Sequence, residues 1–197
     1  MFGEPGSGKG TQGKAIGDLP NFFHLSCGDV FRRINTKSEL GQIFRKYSSQ
    51  GLLVPDEITV RLWSEHIHNL ANTHLFNPDE EILVLDGIPR NRNQAEMMED
   101  HIEVLAVIAL EASDEDILME RIRRRALHDN RLDDAKEEVV RQRFKEYHDE
   151  TAPVLEYYPQ DRIRKVDATG SPIEVLADVI NVVRRILTPV ETTPVGS

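Results

Sequence analysis

The sequence predicts an α/β protein in which helices cover both sides of a mostly parallel sheet. Three observations carry that prediction. Apolar runs and one-sided helical stretches alternate for most of the 197 residues. Two of the runs, 82–86 (ILVLD) and 104–110 (VLAVIAL), are almost wholly apolar, as strands buried on both faces must be. A glycine-rich segment, Gly3 to Thr11, opens into a helix at about Lys9.

Taken in order, a short strand is expected at 22–25 (FFHL). A helix follows over 56–72, where Val60, Trp63, Ile67 and Leu70 recur at steps of three and four. After the strands at 82–86 and 104–110, Ser113 and Asp116 frame a capping box for an arginine-rich helix. The stretch from 135 to about 150 is helical, with Val140, Phe144 and Tyr147 on one side. A third clear strand spans roughly 163–167 (IRKVD). Ser171, Pro172 and Glu174 then give a second capping box with proline at the first helical position. In that last helix Val175, Val179 and Val183, with Leu176, Ile180 and Leu187, form a broad apolar stripe that should face the sheet. The tail, 188–197, lacks periodicity and is expected to be disordered.

Composition narrows the function. The length exceeds the prior of roughly 150 residues for a domain, enough for one core with small lobes. Thirty-four acidic against twenty-four basic residues leave a formal charge of −10, the wrong sign for nucleic-acid binding. No apolar run approaches the ~20 residues of a membrane span. The start lacks the basic and apolar regions of a secretory signal. A single cysteine, Cys27, permits no internal disulfide and no cysteine-rich zinc site. A soluble protein of a reducing compartment, the cytoplasm, is expected. Among seven histidines, His66 and His68 are two apart on a helix and point to different sides, against joint metal ligation.

Chemistry concentrates first at Gly3-Glu4-Pro5-Gly6-Ser7-Gly8-Lys9-Gly10-Thr11. Glycines let consecutive backbone N–H groups curve inward around an anion, and the helix that follows points its positive end at the same place. Gly6, Ser7, Gly8, Lys9, Gly10 and Thr11 are therefore the candidate triphosphate cradle. Lys9 supplies a mobile full charge for the terminal phosphates, and Thr11 a hydroxyl near the metal. Gly10 stands where serine or threonine is usual in this pattern, with Thr11 one step on.

That variant of the loop is the one found in adenylate kinases, and the chain resembles this family from Phe2 to about Val183. The further motifs, in the family's order, are HLSCGDVFRR (24–33), GLLVPDEI (51–58), LDGIPRNRNQ (85–94), the arginine-rich 121–131 with Arg143 beyond it, and VDATGSP (166–172). The resemblance implies a three-layer fold of the P-loop nucleoside triphosphate hydrolase type. It implies one domain over 1–187, with a monophosphate-binding segment about 27–60 and a short lid about 126–136. It also implies Mg²⁺-dependent, reversible transfer, ATP + AMP = 2 ADP, with no structural zinc.

Residue roles carry over the same way. Lys9, Arg90, Arg121, Arg125, Arg131 and Arg143 would be catalytic. Arg121, Arg125 and Gly170 would hold the ATP side, while Arg131 and Arg143 reach across the transferred group. Planar, always-charged guanidinium groups suit phosphoryl oxygens. Arg123 and Arg141 are expected to be solvated. Twelve steps separate Arg131 from Arg143, one more than the family's pattern, which weakens the match at Arg131. Asp86, at the carboxyl end of an apolar strand, would hold Mg²⁺ through water, and Asp29 would share its shell. Both also read as strand-end or helix caps.

For AMP, the resemblance implies Arg32 and Arg90 on the phosphate and Cys27, Leu52, Leu53 and Val54 around the base. Gly87, Ile88 and Pro89 would line the approach, and the Gln94 amide would face the adenine edge. An amide offers one donor face and one acceptor face, which complements adenine. Cys27 pulls the other way, because adenylate kinases usually carry threonine there and pyrimidine monophosphate kinases alanine. Two alternatives stay open: a kinase preferring CMP or UMP, and a weakly catalytic nucleotide-binding protein. Only Met1 and Phe2 precede Gly3, so most of a first strand is missing relative to the family, as a start-site truncation would produce.

Overall fold

The computed structural model describes residues 1–128 and 136–188. Among the described residues, five parallel strands lie in two hydrogen-bonded groups, β1–β4–β5 and β2–β3. They are β1 (Phe2–Gly3), β2 (Phe22–Ser26), β3 (Ile82–Asp86), β4 (Val107–Glu111) and β5 (Ile163–Asp167). The register sets Phe2 beside Ala109, Ser26 beside Asp86 and Val107 beside Ile163. Met1 N donates to Leu85 O at 2.5 Å, joining the two groups.

The helices are α1 (Lys9–Gly17), α2 (Cys27–Arg33), α3 (Glu39–Ser48), α4 (Asp56–Asn72), α5 (Arg92–Met98), α6 (Glu115–His128), α7 (Glu137–Glu146) and α8 (Pro172–Leu187). A π-turn, Tyr147–Thr151, and a 3₁₀ turn, Ala152–Tyr157, follow α7.

Side-chain alternation along the strands explains the layers. Leu83 and Leu85 of β3 join Trp63, Leu25 and Met98 on one face, whereas Val84 joins Ile16, Leu110, Val175 and Val179 on the other. On β4, Val107 packs with Phe2, Ala95 and Val154, and Leu110 turns toward α1 and α8. Helices thus cover both faces of a parallel sheet. A separate cluster, Leu118, Ile122, Val140 and Phe144, ties α6 to α7.

Three expectations need correction. The strand expected at 104–110 begins at Val107 and runs to Glu111; Leu105 is half exposed and lies outside the ladder. The cap of α6 is Asp114, not Ser113: its Oδ1 accepts from Asp116 N at 2.9 Å and Ile117 N at 3.3 Å. A carboxylate one step nearer the helix wins over the hydroxyl because its hydrogen bonds are charge-assisted. The apolar stripe of α8 is narrower than expected, since Ile180 and Leu187 are exposed while Val175 and Val179 are buried. The second capping box is present, with Ser171 Oγ donating to Glu174 Oε2 at 2.6 Å. Most of the expected lid, Arg131 within it, and nearly all of the expected tail lie outside the described residues.

No helix among the described residues is long and apolar enough to cross a membrane.

Candidate active site

All five strands end on one edge of the sheet, and the chain spends its functional motifs there. Gly3 to Gly8 bends from β1 into α1, Cys27 follows β2, Asp86 and Gly87 close β3, and Ala168 to Gly170 follow β5. These segments surround a cleft of about 990 Å³. That is at the upper end of the range for ligand pockets, roughly 300–1,000 Å³.

The loop has the shape of an anion cradle. Gly6 and Gly8 take φ of 84° and 93°, a region that side chains disfavour. Ser7 Oγ lines the cleft, is buried, and has no hydrogen-bond partner among the described residues. A buried hydroxyl without a partner is costly unless a ligand meets it. Lys9 Nζ folds back on the loop, donating to Gly3 O at 2.6 Å and Glu4 O at 3.0 Å. Desolvation lowers its pKa to about 8; Asp86 opposes that shift, and Arg90, Arg143 and Arg125 add to it. Positive charge is concentrated here although the whole chain is acidic.

Gly10 leaves open the space in front of Asp86: a Cβ there would lie 3.3 Å from Asp86 Oδ2. Asp86 is buried, lines the cleft, and its carboxylate accepts no hydrogen bond from the described residues. Thr11 borders the same cleft. An oxygen ligand facing a roomy polar space fits Mg²⁺, which keeps several waters and takes one or two carboxylates. Asp29 is half exposed and pairs with Arg32 at 2.8 Å, so its carboxylate is already engaged.

Arg121 clamps the loop after β5, donating to Ala168 O at 2.6 Å, Thr169 O at 3.0 Å and Gly170 O at 2.7 Å. Arg125 and Arg143 line the cleft. Arg123 and Arg141 are exposed and pair with Glu137 at 3.7 and 2.8 Å.

A side pocket of about 70 Å³ opens off the cleft, walled by Cys27, Leu52, Leu53, Val54 and Gln94 among others. Arg32, Arg90, Arg143 and Gly87 border both spaces. Pro89 lines the main cleft, whereas Ile88 is buried in the core behind it. Burial pushes the Cys27 thiol up to about 12. Arg90 Nε donates to Gly87 O at 3.0 Å, and Arg90 N donates to Gln94 Oε1 at 2.8 Å.

The family model for adenylate kinase matches residues 1–163. The chain belongs to the adenylate kinase family. An adenylate kinase of Flavobacterium psychrophilum is 36% identical over 191 residues, covering 92% of this chain and 96% of that protein. One of Flavobacterium johnsoniae is 38% identical over 178 residues, covering 87% and 90%. One of a Cyanothece species is 35% identical over 190 residues, covering 93% of each. As a member, the chain is a nucleoside monophosphate kinase, a phosphotransferase for ATP + AMP = 2 ADP.

Sequence reasoning missed four participants. Thr151, from the π-turn, donates through Oγ1 to Arg90 O at 2.8 Å. His148 Nε2 lies 2.9 Å from Glu4 Oε1, tying the phosphate loop to the segment after α7. Burial raises the Glu4 pKa, with His148 opposing. Asp56 gathers the side-chain amides of Asn91, Asn93 and Gln94. Only the π-turn carries a local signal, the Thr151-Ala152-Pro153 sequence at which it gives way to the 3₁₀ turn; the partners are distant in the chain.

Proposed function

We propose that the main cleft is the ATP site, that the side pocket is the AMP site, and that the phosphoryl group passes between them past Arg90 and Arg143. One observation carries the reading: the cleft beside the phosphate loop and the side pocket share Arg32, Arg90 and Arg143 in their walls. Gly6, Ser7, Gly8, Gly10 and Thr11 cradle the triphosphate, with Lys9 as the charge that follows the transferred group. Arg121 holds Gly170 and its neighbours as one wall for the ATP base. Arg125, Arg131 and Arg143 balance charge on the phosphoryl group, and Arg32 and Arg90 seat the AMP phosphate.

Asp86 would hold Mg²⁺ through water, with Asp29 at the margin, and the bound ion would neutralise phosphate charge. The chain needs no covalent nucleophile. Its residues align donor and acceptor, screen charge and exclude water. Exclusion requires closure. A side pocket of about 70 Å³ is far below the volumes that admit a ligand, so segment 27–60 opens to take AMP and the lid at 126–136 closes over ATP.

The reading extends to a monomer of the cytoplasm without nucleic-acid partners, the last supported by the net charge of −10. AMP is preferred to UMP because Gln94 lines the side pocket, where its amide complements an amino group beside a ring-nitrogen acceptor. A coupled assay across the four monophosphates tests this, with Lys9→Met and Arg90→Ala as controls. AMP should lead, and each control should lose on the order of a hundredfold or more in kcat while remaining folded. Near-normal turnover in either control would remove the site assignment.

A further inference from the structure

We propose that Asp56 locks the Gln94 amide in one orientation, and that this lock makes the acceptor site select bases carrying an amino group beside a ring-nitrogen acceptor. The inference rests on reading the side pocket as the site of the monophosphate base.

Asp56 opens α4 and does not itself border the side pocket. Its Oδ1 accepts from Gln94 Nε2 at 2.8 Å and Asn91 Nδ2 at 2.9 Å, and its Oδ2 accepts from Asn93 Nδ2 at 2.8 Å. At its other end, Gln94 Oε1 accepts from Arg90 N at 2.8 Å. An ionised carboxylate only accepts and a backbone N–H only donates. Only one orientation of the amide satisfies both neighbours. Turning it over would set oxygen against carboxylate and N–H against N–H. Gln94 is 1% exposed, so water does not relieve the mismatch. Its α5 backbone is pinned too, since Gln94 N donates to Asn91 Oδ1 at 2.8 Å.

A locked amide keeps one N–H and one oxygen lone pair for a ligand, in fixed order. Adenine and cytosine present an amino donor beside a ring-nitrogen acceptor and match one order. Hypoxanthine, guanine and uracil present a carbonyl beside a ring N–H and require the reverse. Asp56 is thus a positioning residue whose effect is on base polarity, not base size.

AMP and IMP differ only in that polarity, so they are the probes. The ratio of kcat/KM for AMP over IMP is measured in the unmodified enzyme and in Asp56→Ala, Asp56→Ser, Asp56→Asn and Gln94→Leu. Removing one charge-assisted hydrogen bond should lower the ratio by about tenfold in Asp56→Ala, mainly through KM. Asp56→Ser, whose shorter side chain does not reach Gln94, should behave alike and stands in if the alanine variant does not fold. Asp56→Asn should restore the ratio, because its carbonyl can take both bonds now made to Oδ1. A merely structural role would lower the melting temperature and weaken AMP and IMP equally. An unchanged ratio in the Ala and Ser variants, while Gln94→Leu lowers it, would overturn the role of Asp56. An unchanged ratio in Gln94→Leu would instead remove the base-site reading on which the inference rests.

Discussion

Thr151 Oγ1 donates to the carbonyl of Arg90 at 2.8 Å, across 61 residues of sequence. With Gln94 Oε1 on the Arg90 amide and Gly87 O on its Nε, this bond holds the arginine at three points. Thr151 is buried, so its loss leaves a carbonyl unsatisfied away from water. Thr151→Val should lower kcat/KM for AMP by about tenfold, while Thr151→Ser should keep it near normal. Steady-state kinetics with varied AMP check this; equal values for valine and threonine would remove the positioning role.

Lys9 predicts a pH limit on ATP binding. Its folded pKa is lowered to about 8, chiefly by desolvation. The ammonium form, present below that value, attracts phosphate; the neutral amine, dominant above it, does not. Affinity for ATP should therefore fall as pH rises through about 8, approaching tenfold per unit, and binding should take up a proton there. Calorimetric titration from pH 7 to 9.5, in buffers of different ionisation heat, reads both effects. Lys9→Arg should abolish the slope, because guanidinium stays charged.

The two central glycines of the loop are not equivalent. A Cβ on Gly6 would lie 2.6 Å from Leu118 O, whereas one on Gly8 meets nothing within 4 Å. Both adopt positive φ, which costs any other residue about 1–2 kcal/mol. Gly8→Ala should pay that strain alone. Gly6→Ala must also displace the α6 backbone, so it should lose more ATP affinity and more melting temperature. Equal losses would contradict the packing argument.

Cys27 should be chemically silent in the folded protein. A thiol pushed up to about 12 is ionised in about one molecule in ten thousand at pH 8, and only the thiolate reacts. An aromatic disulfide reagent should titrate one thiol after denaturant is added and almost none before. Rapid reaction of the native enzyme would place Cys27 in a more open pocket.

The strand at 82–86 is legible to the residue, because a short apolar block flanked by polar residues leaves one register, and the strand at 163–167 keeps its expected bounds although only Ile163 and Val166 in it are apolar. The 104–110 run misleads at its start, since Val104 to Ala106 are apolar but lie outside the ladder. Ser113 misleads because two adjacent residues, Ser113 and Asp114, can both cap, and spacing alone does not rank them. The phosphate loop is legible because its residues are contiguous and each has a separate physical reason. Asp56, Thr151 and His148 are not, since each acts on a residue 35 or more positions away and looks like an ordinary polar side chain until the sheet brings the segments together.

In the proposed function, two nucleotide pockets of one chain meet at Arg90 and Arg143. Calorimetric titration with two adenosines bridged by five phosphates tests it most directly. One molecule should bind per chain at nanomolar affinity, competitive with both ATP and AMP, and binding should weaken strongly in Lys9→Met and in Arg90→Ala. Binding that competes with ATP alone, or that is indifferent to Arg90→Ala, would contradict it.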